Sequence, residues 1–513
     1  MPKFTAHKFP DNKGIIYINK EGVRAEYTYS QLDALSNAFA NFLLESGLAE
    51  YDRVSIYSFN SDYYVISMFG VFKAKGVFVP INYLLTGREM AYQVNNSESS
   101  FLLVENLFYK EVKSHLTEMQ SVKKMLILNR FGKVEDKQFV DFEEAIKSYS
   151  TREPDKILNI WDPILIMYTS GTESLPKGVI LTNQSVISEA VSAIIASKSD
   201  PNTVILHSLP LQHVRGLTVG LIPNLIIGAT NIIIPRPDVQ LILETVEKYK
   251  VTALGTVPTM WIAILNHPDL RKYDLSSIEV IGYGASKMPV EVLKKLKELF
   301  HKAKFYNYYG QTEATGVDIM LFPEDHDKKL DKSGKELVFS YVELMDDNGD
   351  VIKDTNKIGE IVIRGPQIMV GYYKNSEATE KAFMYDWFHS GDMGIRDDES
   401  YLQFIDRKKD MIKSGGENVS ALEVEEIIYK HPAVKEVAVV GLPDPKWIEV
   451  VTAVVVLKDE FKGKVVEEDI IKFCKQYLSS FKVPKRVIFL NTLPKNPTGK
   501  IMKNELKKIL LKS

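Results

Sequence analysis

The sequence predicts a large α/β N-terminal domain with parallel-rich sheets, followed by a small α+β C-terminal domain. Three observations predict it. Between residues 29 and 104, short apolar runs alternate with stretches of helical period, the pattern of strand–helix units whose sheet is covered on both faces. Beyond Glu336 the pattern shortens to brief strands and turns. From Ala421 onward the chain carries a self-contained set of helices and strands, and 513 residues exceed one core at roughly 150 residues per domain.

Taken in order, Leu32, Leu35, Phe39, Phe42 and Leu43 form the apolar stripe of a helix from Tyr29, with Ser30 as its cap and Gly47 as its stop. Strands are expected at Arg53 to Tyr57, Val77 to Ile81 and Phe101 to Val104, with helices at Ser61 to Ala74 and Arg88 to Val94 between them. Lys147 to Pro163 is a polar, proline-bearing connector. Asp346-Asp-Asn-Gly-Asp350 reads as a hairpin turn. The C-terminal set is helix Ala421 to Tyr429, strands Val437 to Val440 and Val450 to Leu457, helix Glu467 to Leu478 and strand Arg486 to Leu490.

Composition narrows the function classes. A net charge of -3 and a pI near 6.4 give no electrostatic reason to expect nucleic acid as partner. The single cysteine, Cys474, excludes an internal disulfide and a multi-cysteine metal site, and it falls on the apolar face of its helix as a packed thiol. No apolar run reaches the ~18 residues of a membrane span, so no transmembrane segment is expected. The N-terminus lacks the apolar core of a signal peptide, which points to a cytoplasmic protein. The terminal Lys507-Lys-Ile-Leu-Leu-Lys512 leaves peripheral membrane contact open beside the reading of a solvated helix.

The stretch with the densest chemistry is Tyr168-Thr-Ser-Gly-Thr-Glu-Ser-Leu-Pro-Lys177-Gly178, a polar loop between two apolar runs. Hydroxyls and close backbone N–H groups at Thr169, Ser170, Gly171 and Thr172, with the Lys177 cation, make an anion cradle; the plain alternative is a turn. The order Lys-Gly followed by a strand excludes the common nucleotide loop, in which Gly-Lys-Ser/Thr opens a helix. Asn307-Tyr-Tyr-Gly-Gln-Thr-Glu313 offers an aromatic for a base, a hydroxyl for phosphate and a carboxylate for Mg2+, or else a buried tyrosine pair and a surface glutamate. Asp392, after Ser390-Gly391, suits the paired hydroxyls of a ribose or is turn chemistry. Asp406-Arg-Lys-Lys-Asp410 reads as a solvated charged face.

These stretches together resemble the adenylate-forming superfamily of acyl- and aryl-CoA synthetases, amino-acid adenylation domains and beetle luciferases. The match runs in order through the loop at Thr169 to Gly178, Pro210-Leu-Gln-His213, Gly284-Ala-Ser286, Tyr309-Gly-Gln-Thr-Glu313, Gly359-Glu360 with Arg364-Gly-Pro366 and Gly371-Tyr372, Ser390-Gly-Asp392, Asp406-Arg407 through Gly415-Gly416, and Pro497-Thr-Gly-Lys500. The resemblance implies ATP-dependent activation of a carboxylic acid to an acyl-adenylate with release of pyrophosphate, then transfer to coenzyme A.

By the same resemblance, Thr169, Ser170, Gly171, Thr172 and Lys177 hold the β- and γ-phosphates, Thr312 the α-phosphate, and Glu313 with Thr172 the Mg2+. Gly284, Ala285, Asn307 and Tyr309 frame the adenine, and Asp392 with Arg407 the ribose. Lys500 stabilises charge between the attacking carboxylate and the α-phosphate. The implied division is 1–405 and 406–513, with Lys409 at the hinge and Gly415, Gly416 and Glu417 along the CoA path. A homodimer is left open.

Two positions depart from the family pattern. Glu173-Ser174 stands where Thr-Gly is usual, which sets a negative charge beside the phosphate cradle, and Tyr283 replaces the first glycine of the adenine strand, which bears on the acyl pocket. Pro201 to Pro237 contains no acidic residue to pair with an amino-acid ammonium, so the expected substrate is a monocarboxylic acid with an apolar tail, a medium- or long-chain fatty acid ahead of an aryl acid. His213, Gly216, Leu217, Val257, Pro258 and Trp261 are the expected acyl-pocket residues, although His213 has a structural reading as well. Arg215 is expected to snorkel to the surface; turned inward, it would favour a hydroxy- or dicarboxylic acid. A luciferase-type oxygenase and a non-catalytic nucleotide-binding regulator are the alternatives of other classes. The regulator would be expected to lack Lys500 or Glu313.

Overall fold

The computed structural model describes residues 2–169, 175–286, 288–414, 417–444, 447–495 and 501–512. Ser170, Gly171, Thr172, Glu173, Ser174, Gly415, Gly416 and Lys500 lie outside the described residues. The chain forms two compact units, one of Met1–Thr169, Pro176–Val342 and Ile363–Ala382, the other mainly of Glu343–Val362 and Phe383–Ser513.

Among the described residues the first unit holds a nine-stranded and an eight-stranded sheet. Both are mainly parallel. In the eight-stranded sheet Arg53–Tyr57 pairs in parallel with Val77–Ile81 and with Ser99–Glu105, and in the nine-stranded sheet Val204–His207, Ala253–Gly255, Val280–Gly284 and Lys304–Tyr309 are consecutive parallel neighbours. Their residues are β-branched, aliphatic or aromatic with almost no interior charge, as strands buried on both faces require. Antiparallel pairs occur at the margins and at Pro163–Thr169 with Lys177–Thr182.

The first long helix, Tyr29–Glu45, buries Leu32, Phe39, Phe42 and Leu43 on one face. Its cap is Thr28 rather than Ser30: Thr28 accepts from the Gln31 backbone while the Gln31 side chain accepts from Thr28 N–H, a reciprocal box that satisfies two orphan donors. Ser61 caps the next helix, Asp62–Lys73. The two helices approach so closely that a Cβ on Gly70 would lie 2.6 Å from the Phe39 ring.

A four-stranded sheet, Tyr341–Met345, Ile358–Arg364, Phe388–Arg396 and Leu402–Arg407, lies mainly in the second unit, which also carries a five-stranded one around the hairpin Val434–Asp444 and Ile448–Leu457. Helices Ala421–Tyr429 and Glu467–Cys474 pack on the latter over a core that includes Val424, Val439, Val455 and Cys474. Burial pushes the Cys474 thiol up to about 11, so it packs as an apolar group and not as a thiolate. Among the described residues no helix is long and apolar enough to cross a membrane.

Candidate active site

In the first unit two expected residues, Glu313 and Lys177, meet through a third, Tyr372. Glu313 sits in the short turn Thr312–Ala314 that follows strand Lys304–Tyr309, and its Oε1 accepts a hydrogen bond of 2.9 Å from Tyr372 Oη. The Glu313 carbonyl accepts from Met369 N–H at 2.8 Å, which ties the turn to the same segment. Lys177, opposite Thr169 in the antiparallel register, places Nζ 4.8 Å from the Tyr372 ring centroid. Burial and the neighbouring Glu313 charge push the Tyr372 hydroxyl well above its ordinary range, so it remains a donor. Sequence reasoning named Gly371-Tyr372 only as a motif; the tyrosine that joins the cation to the carboxylate was missed.

The adenine candidates fall on two adjacent parallel strands, with Tyr283 opposite Asn307 and Gly284 opposite Tyr308. Ala285, at the end of the first strand, has φ +66, a left-handed conformation that costs a non-glycine residue about 1–2 kcal/mol. Strand alternation decides where Tyr283 points. Its neighbours Gly282 and Gly284 face Tyr308, so Tyr283 faces the opposite side of the sheet, where it is buried and its hydroxyl lies 3.0 Å from His326 Nε2. The departure at Tyr283 therefore leaves the Tyr308 side of the sheet open.

That side borders a cavity of about 70 Å3. Gly216 lines it; Trp261 is instead packed in the core against Phe300 and donates its indole N–H to the Gly282 carbonyl at 3.2 Å. Leu217 and Pro258 are buried, Val257 precedes the helix Pro258–Leu265, and His213 is exposed. Arg215 does not snorkel. Its guanidinium lies 4.0 Å from the Tyr308 ring centroid and lines the cavity, in a slot left by glycines: a Cβ on Gly255 or Gly282 would approach Arg215 Nη2 to 2.7 or 2.9 Å.

In the second unit Asp392 and Arg407 are directly opposite on antiparallel strands, with Arg407 Nε 2.9 Å from Asp392 Oδ1. Asp392 is buried, and its N–H donates to Ser390 Oγ, which itself donates to the Ile361 carbonyl. Glu360 binds the adjacent turn, accepting from Gly391 N–H at 3.1 Å and from Lys408 Nζ at 2.9 Å; against the opposing effect of burial, His389 and Lys408 hold its carboxyl down to about 2. Asp406 is not part of a solvated face. It is buried, accepts from Ser420 Oγ and Leu422 N–H, and so fixes the strand end to the start of helix Ala421–Tyr429, while Lys409 is exposed. Glu417 is exposed on a short strand opposite Ser414.

Two family models match the chain, that of the AMP-binding enzyme over residues 3–373 and that of the AMP-binding enzyme C-terminal domain over residues 423–500. The chain belongs to the AMP-binding enzyme family. Within this family it is similar to 4-hydroxybutyrate–CoA ligase 2 of Metallosphaera sedula, 33% identical over 97% of this chain and 92% of the relative. It is also similar to a long-chain-fatty-acid–CoA ligase of Mycobacterium tuberculosis, 34% identical over 94% and 92%. Among solved structures, o-succinylbenzoate coenzyme A synthetase from Bacillus subtilis in complex with ATP and magnesium ion matches at TM-score 0.85 and 28% identity, covering 99% of this chain and 98% of that one. This AMP-binding enzyme is thus an AMP-forming acid–CoA ligase with a large N-terminal α/β domain and a smaller C-terminal domain.

Proposed function

We propose that the acid is activated at the Glu313–Tyr372–Lys177 cluster of the larger domain, with Lys500 supplied from the smaller one. The acid's carboxylate oxygen attacks the α-phosphorus of ATP, pyrophosphate leaves, and the thiol of coenzyme A then displaces AMP from the acyl carbonyl. The observation that carries this assignment is the hydrogen bond from Tyr372 to Glu313, which holds a half-buried carboxylate to the tyrosine whose ring faces the Lys177 cation. Hard carboxylate and hydroxyl oxygens from Glu313 and Thr172 fit Mg2+, which prefers one or two carboxylates together with substrate phosphates. When bound, the ion neutralises charge on the phosphates; the protein's part is to orient Glu313 through Tyr372 and to hold the triphosphate with Thr169 to Thr172 and Lys177.

Thr312 takes the α-phosphate, Gly284, Ala285, Asn307 and Tyr309 frame the adenine, and the Asp392–Arg407 pair takes the ribose. Lys500 supplies its cation where negative charge develops, without a covalent enzyme intermediate. For the second step the domain 406–513 rotates about Lys409, and Gly415, Gly416 and Glu417 line the path of coenzyme A. One site thus serves two half-reactions.

For the acid, the absence of Asp and Glu from Pro201 to Pro237 favours an apolar tail, whereas the inward guanidinium of Arg215 favours a polar far end. The second observation is the more specific. Acid-dependent exchange of pyrophosphate into ATP, followed by addition of coenzyme A, tests the function. Exchange that requires no acid, or acid-dependent exchange with no thioester on adding coenzyme A, would refute it.

A further inference from the structure

The cavity beside strand Val280–Gly284 is built around an uncompensated cation. Among the described residues no carboxylate lies within ion-pair distance of Arg215. Glu189, whose charge the guanidinium would favour, is fully buried; burial and the nearby Asp318 push its carboxyl well above the usual carboxylate range, and its Oε1 accepts from Val317 N–H at 3.0 Å. His207, another lining residue, cannot compete for an anion as a second cation: burial drives its pKa down to about 4, and Nε2 is engaged with Asn231 Oδ1 at 2.9 Å. A half-buried guanidinium without a carboxylate partner is a ready site for an anion, and its planar fork matches a carboxylate.

Two further polar atoms of the lining lack a partner. Ser208 Oγ and Asn224 Oδ1 are buried without a hydrogen bond, although both side chains line the same cavity and buried polar atoms are ordinarily satisfied. Ser208 can donate to a carboxylate. On the measure by which a site of about 10–15 Å3 holds one water molecule, a cavity of about 70 Å3 holds a handful, which suits a short polar end group rather than a long alkyl tail.

We propose that Arg215 is the specificity-determining residue of this ligase and that the acid is a short dicarboxylic acid, one carboxylate being activated while the other is held by Arg215 and Ser208 at the far end of the cavity. This rests on the acid-activation reading above. The glycines at 255 and 282 are part of the device, since a side chain at either would displace the guanidinium.

The test is pyrophosphate exchange with succinate, glutarate and adipate against the matched monocarboxylates and ω-hydroxy acids, with octanoate, palmitate and benzoate added, for the wild type, Arg215→Met and Arg215→Lys. The wild type is expected to prefer a dicarboxylate over its monocarboxylate by about ten- to a hundred-fold in kcat/KM, the scale of a charge-assisted hydrogen-bond pair. Arg215→Met should lose that preference through KM and gain monocarboxylate turnover, which itself reports a folded enzyme. Arg215→Lys should keep part of the preference and decides the matter if the methionine variant fails to fold. A wild type that prefers a monocarboxylate or a hydroxy acid, or a preference unchanged in Arg215→Met, overturns the assignment. If no acid supports exchange in any of the three proteins, the acid-activation reading fails instead.

Discussion

Removal of one oxygen from Tyr372 tests whether Glu313 belongs to the metal site. In Tyr372→Phe the ring that faces Lys177 remains and only the hydroxyl that donates to Glu313 Oε1 at 2.9 Å is lost. A hydrogen bond to a charged group contributes about 1.5–3 kcal/mol, and Glu313 is half-buried, so the lower end applies, about 1.5 kcal/mol. At about 1.4 kcal/mol per factor of ten, this is roughly a ten-fold loss. Partners that orient metal ligands have effects of the same size, ~10–100-fold. The expected result in acid-dependent pyrophosphate exchange is therefore a Mg2+ half-saturation raised about ten-fold, with maximal rate largely restored at high Mg2+. Glu313→Gln should shift it further. An unchanged Mg2+ requirement in Tyr372→Phe, at reduced or normal rate, would refute the proposed link from tyrosine to carboxylate to metal.

Four further outcomes are expected. Lys500→Ala should slow acyl-adenylate formation by ~10² or more, the cost of a lost charge stabiliser, while thioester formation from supplied acyl-adenylate survives; equal loss of both steps would contradict domain alternation. Asp392→Ala should abolish discrimination between ATP and 2′-deoxy-ATP, measured as the ratio of their kcat/KM values, and a retained ratio would remove Asp392 from the ribose. Glu105 and Asp318 are fully buried, and burial raises their carboxyls to about 8 and about 7, so the folded state keeps protons that the unfolded state releases above its own pKa near 4. The stability these two carboxyls contribute must then fall as pH rises from about 4 to 8, by at most about 1.4 kcal/mol per unit per group; over that range the melting temperature of Glu105→Gln should fall less, or rise more, than that of the wild type, and an identical slope would contradict it. Gly70→Ala should destabilise by ~1–3 kcal/mol in thermal melts despite the better helix propensity of alanine, because its methyl enters the space of the Phe39 ring.

How much of the molecule the sequence could show follows from the range of the forces involved. Strands Arg53–Tyr57 and Val77–Ile81 and helix Ala421–Tyr429 match the sequence reading residue for residue, because a purely apolar run and an amphipathic period are local signals. The helix cap slipped from Ser30 to Thr28, since both residues can cap and only the reciprocal bonds with Gln31 choose between them. Helix Glu467–Cys474 stops short of Leu478, and the hairpin strand Val434–Asp444 extends well beyond Val437 to Val440, as tertiary pairing lengthens one element and the chain turns at the end of the other. The candidate site shows the same limit. Glu313, Lys177 and Asp392 were legible from their motifs, but the role of Tyr372 depends on Glu313 59 residues earlier, and the buried Asp406 depends on Ser420 and Leu422.

Arg215 is the instructive failure. An arginine in an apolar stretch is expected to reach for water because burial of an unpaired cation is costly. What overrides that here is a slot assembled from separate strands, Gly255 and Gly282 from two of them and the Tyr308 ring from a third, in which the guanidinium keeps a π-face while losing part of its solvent. Such a slot stabilises the cation only in part, and the remaining deficit is what a substrate anion can supply. The same residue that breaks the local rule is therefore the one through which this chain can choose its acid.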